Sequence, residues 1–250
     1  MAGYSVFADY YDALTGNVEY PRRADYFLAL LARVGHTPTL ALDLACGTGS
    51  LTLELARRGL DVYGVDASPE MLSVARTKSA DAGLDLLFLC QKMQSLDLYG
   101  TVDTVFCSLD SLNHLENREE LAKALGKVSF FMDPGGWFLF DMNTPYKHRQ
   151  VLGNNTFVYD TESVYCVWQN RFQEEDCKVR LQLDFFERDG RVYTRRTQRF
   201  SETAYDLEDT LSLLAQAGFD RVEVFHELTF DPPRPDSQRL MFAARKKPGK

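Results

Sequence analysis

Leu42-Asp43-Leu44-Ala45-Cys46-Gly47-Thr48-Gly49 is the stretch on which the reading of this chain turns. Its apolar start reads as a short buried strand, its end is a run of small residues, and Ser50 to Arg58 behind it has helical periodicity. A strand that passes through small residues into a helix brings backbone amides and the positive end of the helix up to a ligand. The spacing is not that of a dinucleotide loop. Counted from Gly47, the third glycine of Gly-x-Gly-x-x-Gly would fall on Thr52, and an acid, Asp43, precedes the loop. The loop therefore suits a ligand without a pyrophosphate.

On either side, short β-rich runs alternate with amphipathic stretches, the pattern of a parallel sheet covered on both faces. The expected strands are Leu40 to Leu44, Asp61 to Asp66, Asp85 to Cys90, Val102 to Cys107 and Gly136 to Asp141. Helices are expected at Ser50 to Arg58, at Pro69 to Ala82 behind a capping Ser68, and at Arg118 to Met132. Asp133-Pro134-Gly135-Gly136 should end the last of these sharply before the next strand. Upstream, Tyr20 to Val34 reads as a helix, preceded by an aromatic segment (Tyr4, Phe7, Tyr10, Tyr11) able to fold over a neighbouring cleft. Downstream, Thr156 to Phe200 is dense in Val, Tyr, Phe and Thr, with Asp189-Gly190 as a hairpin turn, and reads as an antiparallel β insert. A helix at Asp206 to Ala217, a stop at Gly218 and two strands, Arg221 to Leu228 and Arg239 to Ala244, close the chain. The division implied is an N-terminal cap and helix (1–38), a ligand-binding α/β unit (39–145 and 203–250) and the insert (146–202).

With 250 residues and 45% hydrophobic content the chain can bury one substantial core. Its 28 Lys plus Arg against 36 Asp plus Glu, a net charge of -8, disfavour attraction to nucleic-acid phosphates or anionic membranes and favour a small partner. Cys46, Cys90, Cys107, Cys166 and Cys177 form no Cys-x-x-Cys pair or zinc spacing and read as thiols in a reducing compartment. Met1 to Leu14 lacks the pattern of a secretory signal, and no run approaches the roughly 18 apolar residues of a membrane span. A cytoplasmic protein is expected.

Asp66, at the end of the second strand, can take both hydroxyls of a ribose, while Ser68 already fills the capping role before Pro69. Asp43 either serves the ligand, or holds loop amides in place, or does both. With these residues in view, the chain resembles the class I S-adenosylmethionine-dependent methyltransferases, from about Tyr4 to Tyr146 and again from about Tyr205 to Ala244. Asp43-x-Ala45-x-Gly47-x-Gly49 is similar to that family's first motif, with Ala45 where a glycine is commoner. The resemblance implies a Rossmann-like, seven-stranded, mostly parallel sheet with helices on both faces and the β insert between strand five and the last helix. It implies S-adenosylmethionine as cofactor and S-adenosylhomocysteine as product, the loop backbone contacting the methionine part, Asp66 the ribose, and Ala67 and Met71 the adenine. Cys90-Gln91-Lys92-Met93 matches the third-strand end, where the family often has an acid on the adenine amino group. Lys92 stands there and cannot accept a hydrogen bond, so the Met93 backbone is expected to supply that contact.

After the fourth strand, Ser108-Leu109-Asp110-Ser111-Leu112-Asn113-His114 lies at the carboxyl edge where open α/β sheets bind ligands. It resembles the corresponding stretch of glycine-type N-methyltransferases, in which a polar residue at the Asp110 position faces the acceptor. A carboxylate there would suit a cationic or hydroxyl-bearing acceptor. Asp110 and His114 are the candidate acid–base residues, Ser108 joins the cofactor set, and the Tyr11 ring is a candidate partner for a sulfonium. Turn capping and aromatic packing are the plain alternatives. Asp110, Asp141 and Asn143 could bind a cation, but such groups are common at this edge without one, and no metal is expected. The base-amino and pyrimidine-C5 motifs are missing. Tyr159, Tyr165, Trp168 and Phe172 of the insert should share an apolar face, either a lid over the acceptor or the pairing surface of a homodimer. The function expected is methyl transfer to an N or O atom of a small molecule. A catalytically silent S-adenosylmethionine-binding protein and an NAD(P)-dependent oxidoreductase are the rival readings.

Overall fold

The computed structural model describes residues 5–162 and 164–249; Tyr4, from the N-terminal aromatic segment, lies outside them. Its helices are α1 (Ser5–Leu14), α2 (Tyr20–Val34), α3 (Ser50–Arg57), α4 (Pro69–Asp81), α5 (Arg118–Phe130) and α6 (Leu207–Gln216). Between them the chain lays down β1 (Ala41–Leu44), β2 (Val62–Asp66), β3 (Phe88–Cys90), β4 (Val102–Cys107) and β5 (Met132–Asn143). It then leaves the sheet for β6 (Thr156–Asp160), β7 (Val164–Gln173), β8 (Lys178–Asp189) and β9 (Val192–Thr203), and returns through α6 to β10 (Phe219–His226) and β11 (Arg239–Lys246). The main sheet has seven strands in the order β10-β11-β5-β4-β1-β2-β3. Only β11 runs against its neighbours.

Strand alternation divides the core into two layers. Leu42, Leu44, Phe138, Phe140 and Phe242 point to the side covered by α5 and α6, and Ala41, Phe106, Leu139 and Met241 to the side covered by α2 and α3. Phe140 and Phe242, paired across β5 and β11, stack with ring centroids 4.5 Å apart. Burying each such ring contributes about 1.5–3 kcal/mol. Because β1 lies inside this sandwich, all four of its residues are buried, and the loop that follows it opens at the carboxyl edge. The cap expected at Ser68 is present, its hydroxyl accepting from the Met71 amide at 3.2 Å.

The second sheet, β6-β7-β8-β9, is the antiparallel insert. Its inner face, with Cys166, Leu181, Leu183 and Phe185, forms a third core with Phe7 and Leu14 of α1 and Met71 of α4. The aromatic segment is thus a helix sandwiched between the insert and the main domain. One expectation about the insert is corrected. Tyr159 pairs with Cys166 and shares the inner face with Trp168 and Phe172, but Tyr165 is one residue out of phase and faces outwards, 39% exposed. Two boundaries also move. β5 begins at Met132 and absorbs the Asp133-to-Gly136 turn, and β3 is confined to three residues. Among the described residues no helix is long and apolar enough to cross a membrane.

Candidate active site

In the loop after β1, alternate residues are left-handed: Ala45 at φ 58°, Gly47 at 55° and Gly49 at 74°. The two glycines serve different ends. A Cβ on Gly47 would meet nothing within 4 Å, whereas one on Gly49 would lie 3.0 Å from Ala75 Cβ and 3.3 Å from the Phe88 ring. Gly47 therefore exposes backbone to open space and Gly49 lets α3 pack closely. Ala45 holds its conformation at a cost of about 1–2 kcal/mol. The acid that steadies the loop is Asp66, which accepts from Gly47 N at 2.9 Å and Ser68 N at 2.8 Å. Asp43, expected to serve the ligand, the loop amides or both, has its bonds to Thr52 in the first turn of α3. It is turned inwards, accepts from Thr52 Oγ1 at 2.6 Å, and is pushed by burial up to about 7. Burial also raises Asp66, against the pull of the Ser68, Gly47 and Ala67 amides. From α1, Asp12 accepts from Thr48 Oγ1 at 2.7 Å and pairs with Lys78 at 2.7 Å, strapping that helix across the loop. Open backbone at Gly47 beside a strand-end carboxylate fits the cofactor that the resemblance implies. Of the remaining cofactor-side residues, Lys92 is exposed and Met93 opens a short 3-10 turn. The Ala67 carbonyl faces Cys90 Sγ, and Met71 is buried under the insert.

The turn after β4 is held by charge. Leu109 and Asp110 are both left-handed, at φ 58° and 51°, and both amides donate to the fully buried Asp141, at 2.9 Å and 2.8 Å. Asp141 also accepts from Arg23 at 2.9 Å, from Ser108 Oγ at 3.1 Å and from Arg239. The Ser108 hydroxyl is therefore committed to Asp141. Arg239 continues to Asp110 at 2.6 Å and Glu227 at 3.2 Å. Burial alone would raise the Asp110 carboxyl, but Arg239, Lys147 and His114 together hold it well below the usual carboxylate range. A carboxylate so stabilised is a weak base. His114 Nε2 lies 4.0 Å from Glu202 Oε1 of β9, and the ring is also within electrostatic reach of Asp66, linking the two sides of the site. Tyr11, beside the Tyr20 hydroxyl and within the field of Asp110, is raised by desolvation and by Tyr20. Ligand atoms of Asp110, His114 and Glu202 lie within 4.8 Å of one another. Arg239 and Lys147 already supply the positive charge there, so the trio reads as a hydrogen-bonding and proton-handling group.

A methyltransferase-domain family model matches residues 41–136. YqeM of Bacillus subtilis (strain 168), which carries a methyltransferase name, is 31% identical over 244 residues, 97% of this chain and 97% of its own length. The crystal structure of an S-adenosylmethionine-dependent methyltransferase from Clostridium acetobutylicum ATCC 824 matches with a TM-score of 0.88 at 33% identity, covering 98% of this chain and 99% of that one. This chain belongs to the S-adenosylmethionine-dependent methyltransferases. A more distant likeness shows the fold alone. CalS10 of Micromonospora echinaspora, an amino pentose methyltransferase solved with S-adenosylmethionine bound, gives a TM-score of 0.73 at 22% identity over 95% of this chain and 96% of its own.

In this methyltransferase the loop, Asp66, Asp110 and His114 come together at one sheet edge as the sequence leads one to expect. Missing from that reading are Asp12, Arg23, Lys147, His148, Glu202 and Arg239. Arg239 opens the last strand and Glu202 ends the insert, each at the same sheet edge, and that placement was the available signal. Lys147 donates to Asn143 Oδ1 at 2.9 Å and is lowered from the usual lysine range by burial and by Arg239.

Proposed function

We propose that the methyltransferase carries the methyl group to a nitrogen or oxygen of a small acceptor lodged between the end of β4 and the inner face of β9. The observation that supports this reading is the convergence of Asp110, His114 and Glu202 within 4.8 Å at the edge that also carries the glycine loop. S-adenosylmethionine, when bound, supplies an electrophilic methyl carbon. The chain's task is to hold a nucleophile in line with it at about 3–3.5 Å. In our reading the backbone at Ala45, Gly47 and Gly49 takes the methionine part and Asp66 the ribose. Ala67, Met71 and the Met93 backbone border the adenine, and the Tyr11 ring faces the sulfonium. Asp110, fixed by Arg239, orients the acceptor, and the charge of Lys147 favours a hydroxyl or neutral amine over a cation. The insert, residues 146–202, forms with α1 the lid of this pocket, on the cofactor-binding unit of residues 39–145 and 203–250. The net charge of -8 supports a small acceptor over nucleic acid or an anionic membrane, and the free cysteines support a cytoplasmic setting.

Incubation of the protein with a metabolite extract and methyl-labelled S-adenosylmethionine tests the reading. The expected result is a labelled low-mass product one methylene heavier than its precursor. Label confined to protein or nucleic acid would overturn it.

A further inference from the structure

His148 sits in the π-helical turn Lys147–Leu152 with its side chain fully buried. Its Nδ1 lies 3.1 Å from the Cys177 carbonyl. A carbonyl can only accept, so the ring proton is on Nδ1 and Nε2 presents a bare lone pair. Among the described residues that Nε2 has no hydrogen-bond partner. What it faces is Glu202 Oε2, 3.7 Å away. A lone pair opposite a carboxylate oxygen is unfavourable in a dry site, and it becomes an O–H···N hydrogen bond as soon as the carboxyl gains a proton.

Besides the apolar Val179 of β8 opposite it, charged and polar groups from several elements surround Glu202. Asp110 and His114 come from the turn after β4, and Lys147 and His148 from the π-helical turn. Arg239 of β11 adds its charge, and Asn143 of β5 donates to Glu202 Oε2 at 3.4 Å. Burial first and Asp110 second raise the Glu202 carboxyl above its usual range. Burial lowers His148 to about 4, which keeps its ring neutral and its Nε2 free to accept.

We propose that Glu202 is the proton acceptor of the methyl transfer and that His148 is its positioning partner, which deepens the small N- or O-acceptor reading and rests on it. As the acceptor's N or O forms its bond to the methyl carbon, the carbon–sulfur bond breaks and its electron pair stays on sulfur. The N–H or O–H proton passes to the Glu202 carboxylate, where His148 Nε2 holds it. The residue that completes the chemistry is thus supplied by the insert, which makes the insert part of the active site as well as its cover.

The first arm of the test needs no acceptor. In protein labelled with 15N-histidine and saturated with S-adenosylhomocysteine, acidification is expected to shift the Nε2 resonance of His148 towards a hydrogen-bonded position while Nδ1 stays protonated. In Glu202→Gln, whose amide donates at every pH, that shift should be absent. An Nε2 titration identical in the two proteins, or a ring that becomes imidazolium near 6.5 in both, overturns the proposal. The second arm uses the acceptor returned by the metabolite screen. Glu202→Gln should lower kcat by about 10²-fold or more, abolish the acid limb of the pH–rate profile and leave S-adenosylhomocysteine affinity unchanged. His148→Asn keeps the bond to the Cys177 carbonyl and removes the lone pair, and should move that limb to lower pH. Unchanged kcat in Glu202→Gln overturns the proposal even if the first arm succeeds. A blank metabolite screen counts against the acceptor reading alone, and the spectroscopic arm still decides the pair.

Discussion

The loop after β1 and the turn after β4 emerge at neighbouring strand ends and both contain left-handed residues, yet they are held by opposite means. The loop is steadied by backbone. Gly47 and Ser68 donate to one carboxylate, Asp66, Gly49 packs closely, and the Thr48 hydroxyl adds a side-chain tie to Asp12. The turn is steadied by a buried ionic chain in which Arg23, Asp141, Arg239, Asp110 and Glu227 draw on α2, the ends of β4, β5 and β10, and the start of β11. A backbone-built site presents a fixed shape to a constant ligand. A charge-built site can be retuned by single substitutions, which suits the side that we propose meets the acceptor.

The sharpest way to break this comparison is to remove the central cation. Arg239→Met keeps much of the side-chain volume but leaves Asp110 and Asp141 buried beside each other with too little positive charge. Taking one partner from a buried ion pair costs about 3–5 kcal/mol, so urea denaturation should show a loss of that size. In the fraction that remains folded, S-adenosylhomocysteine affinity should be nearly intact. A loss under about 1 kcal/mol would mean that the ionic chain does not hold the turn.

Next in size is Asp66→Ala, the corresponding cut on the backbone-built side. The variant loses charge-assisted hydrogen bonds worth about 1.5–3 kcal/mol, and calorimetry should show S-adenosylhomocysteine binding weakened tenfold or more. Because the loop amide of Gly47 and the amide of the α4 cap Ser68 also lose their acceptor, a fall in Tm should accompany the loss of affinity. Unchanged affinity in a folded variant would take Asp66 out of the cofactor site.

The same contrast explains what could be read in advance. Most of the proposed cofactor side lies within Asp43 to Met93, where strand, loop, acid and cap follow one another closely, so turn chemistry and the family resemblance point to it, while Tyr11 and Ser108 lie outside that run. The strand-rich course of the insert followed from composition and its hairpin turn in the same way. Tyr165 was misplaced because it was grouped with Trp168 and Phe172 although it lies an odd number of residues from Trp168, which puts it on the opposite face. The acceptor side joins Arg23 to Asp141 and Asp141 to Arg239 across most of the chain. Charges so far apart in sequence carry no local pattern. Asp110 could be picked out by its place after β4 and Arg239 by its place at the start of the last strand, but nothing local in the sequence pairs the two.

A smaller effect separates the two acids of the cofactor side. Burial raises Asp43 from 3.8 to about 7, so the folded protein keeps a proton that the unfolded chain has released. The stability linked to that proton is fully present below about 4 and is lost as the pH rises through about 7. Asp43→Asn, which still accepts from Thr52, should flatten this slope. Wild type should lose more stability than the variant between about pH 5 and pH 8, by a few kcal/mol at most, since one pKa unit corresponds to about 1.4 kcal/mol. Equal slopes in urea titrations at the two pH values would mean that Asp43 is ionised in the fold throughout.

The smallest expected effect sits at Ala45. Its φ of 58° matches the 58° of Leu109 on the other side of the site, so the two positions carry the same backbone strain. Leu109 has a half-buried side chain to lose and an amide pinned by Asp141, so glycine there would exchange one cost for another. Ala45 has only a methyl group. Ala45→Gly should remove about 1–2 kcal/mol of left-handed strain and give back about 0.5–1 kcal/mol through the greater freedom of glycine in the unfolded chain. The net expectation is a gain of about 0.5–1 kcal/mol and a Tm rise of a few degrees at most, with S-adenosylhomocysteine affinity unchanged. Leu109→Gly should be neutral or destabilising. If Ala45→Gly instead lowers cofactor affinity without stabilising the fold, the Ala45 methyl is a ligand contact, and the cofactor side is not built from backbone alone.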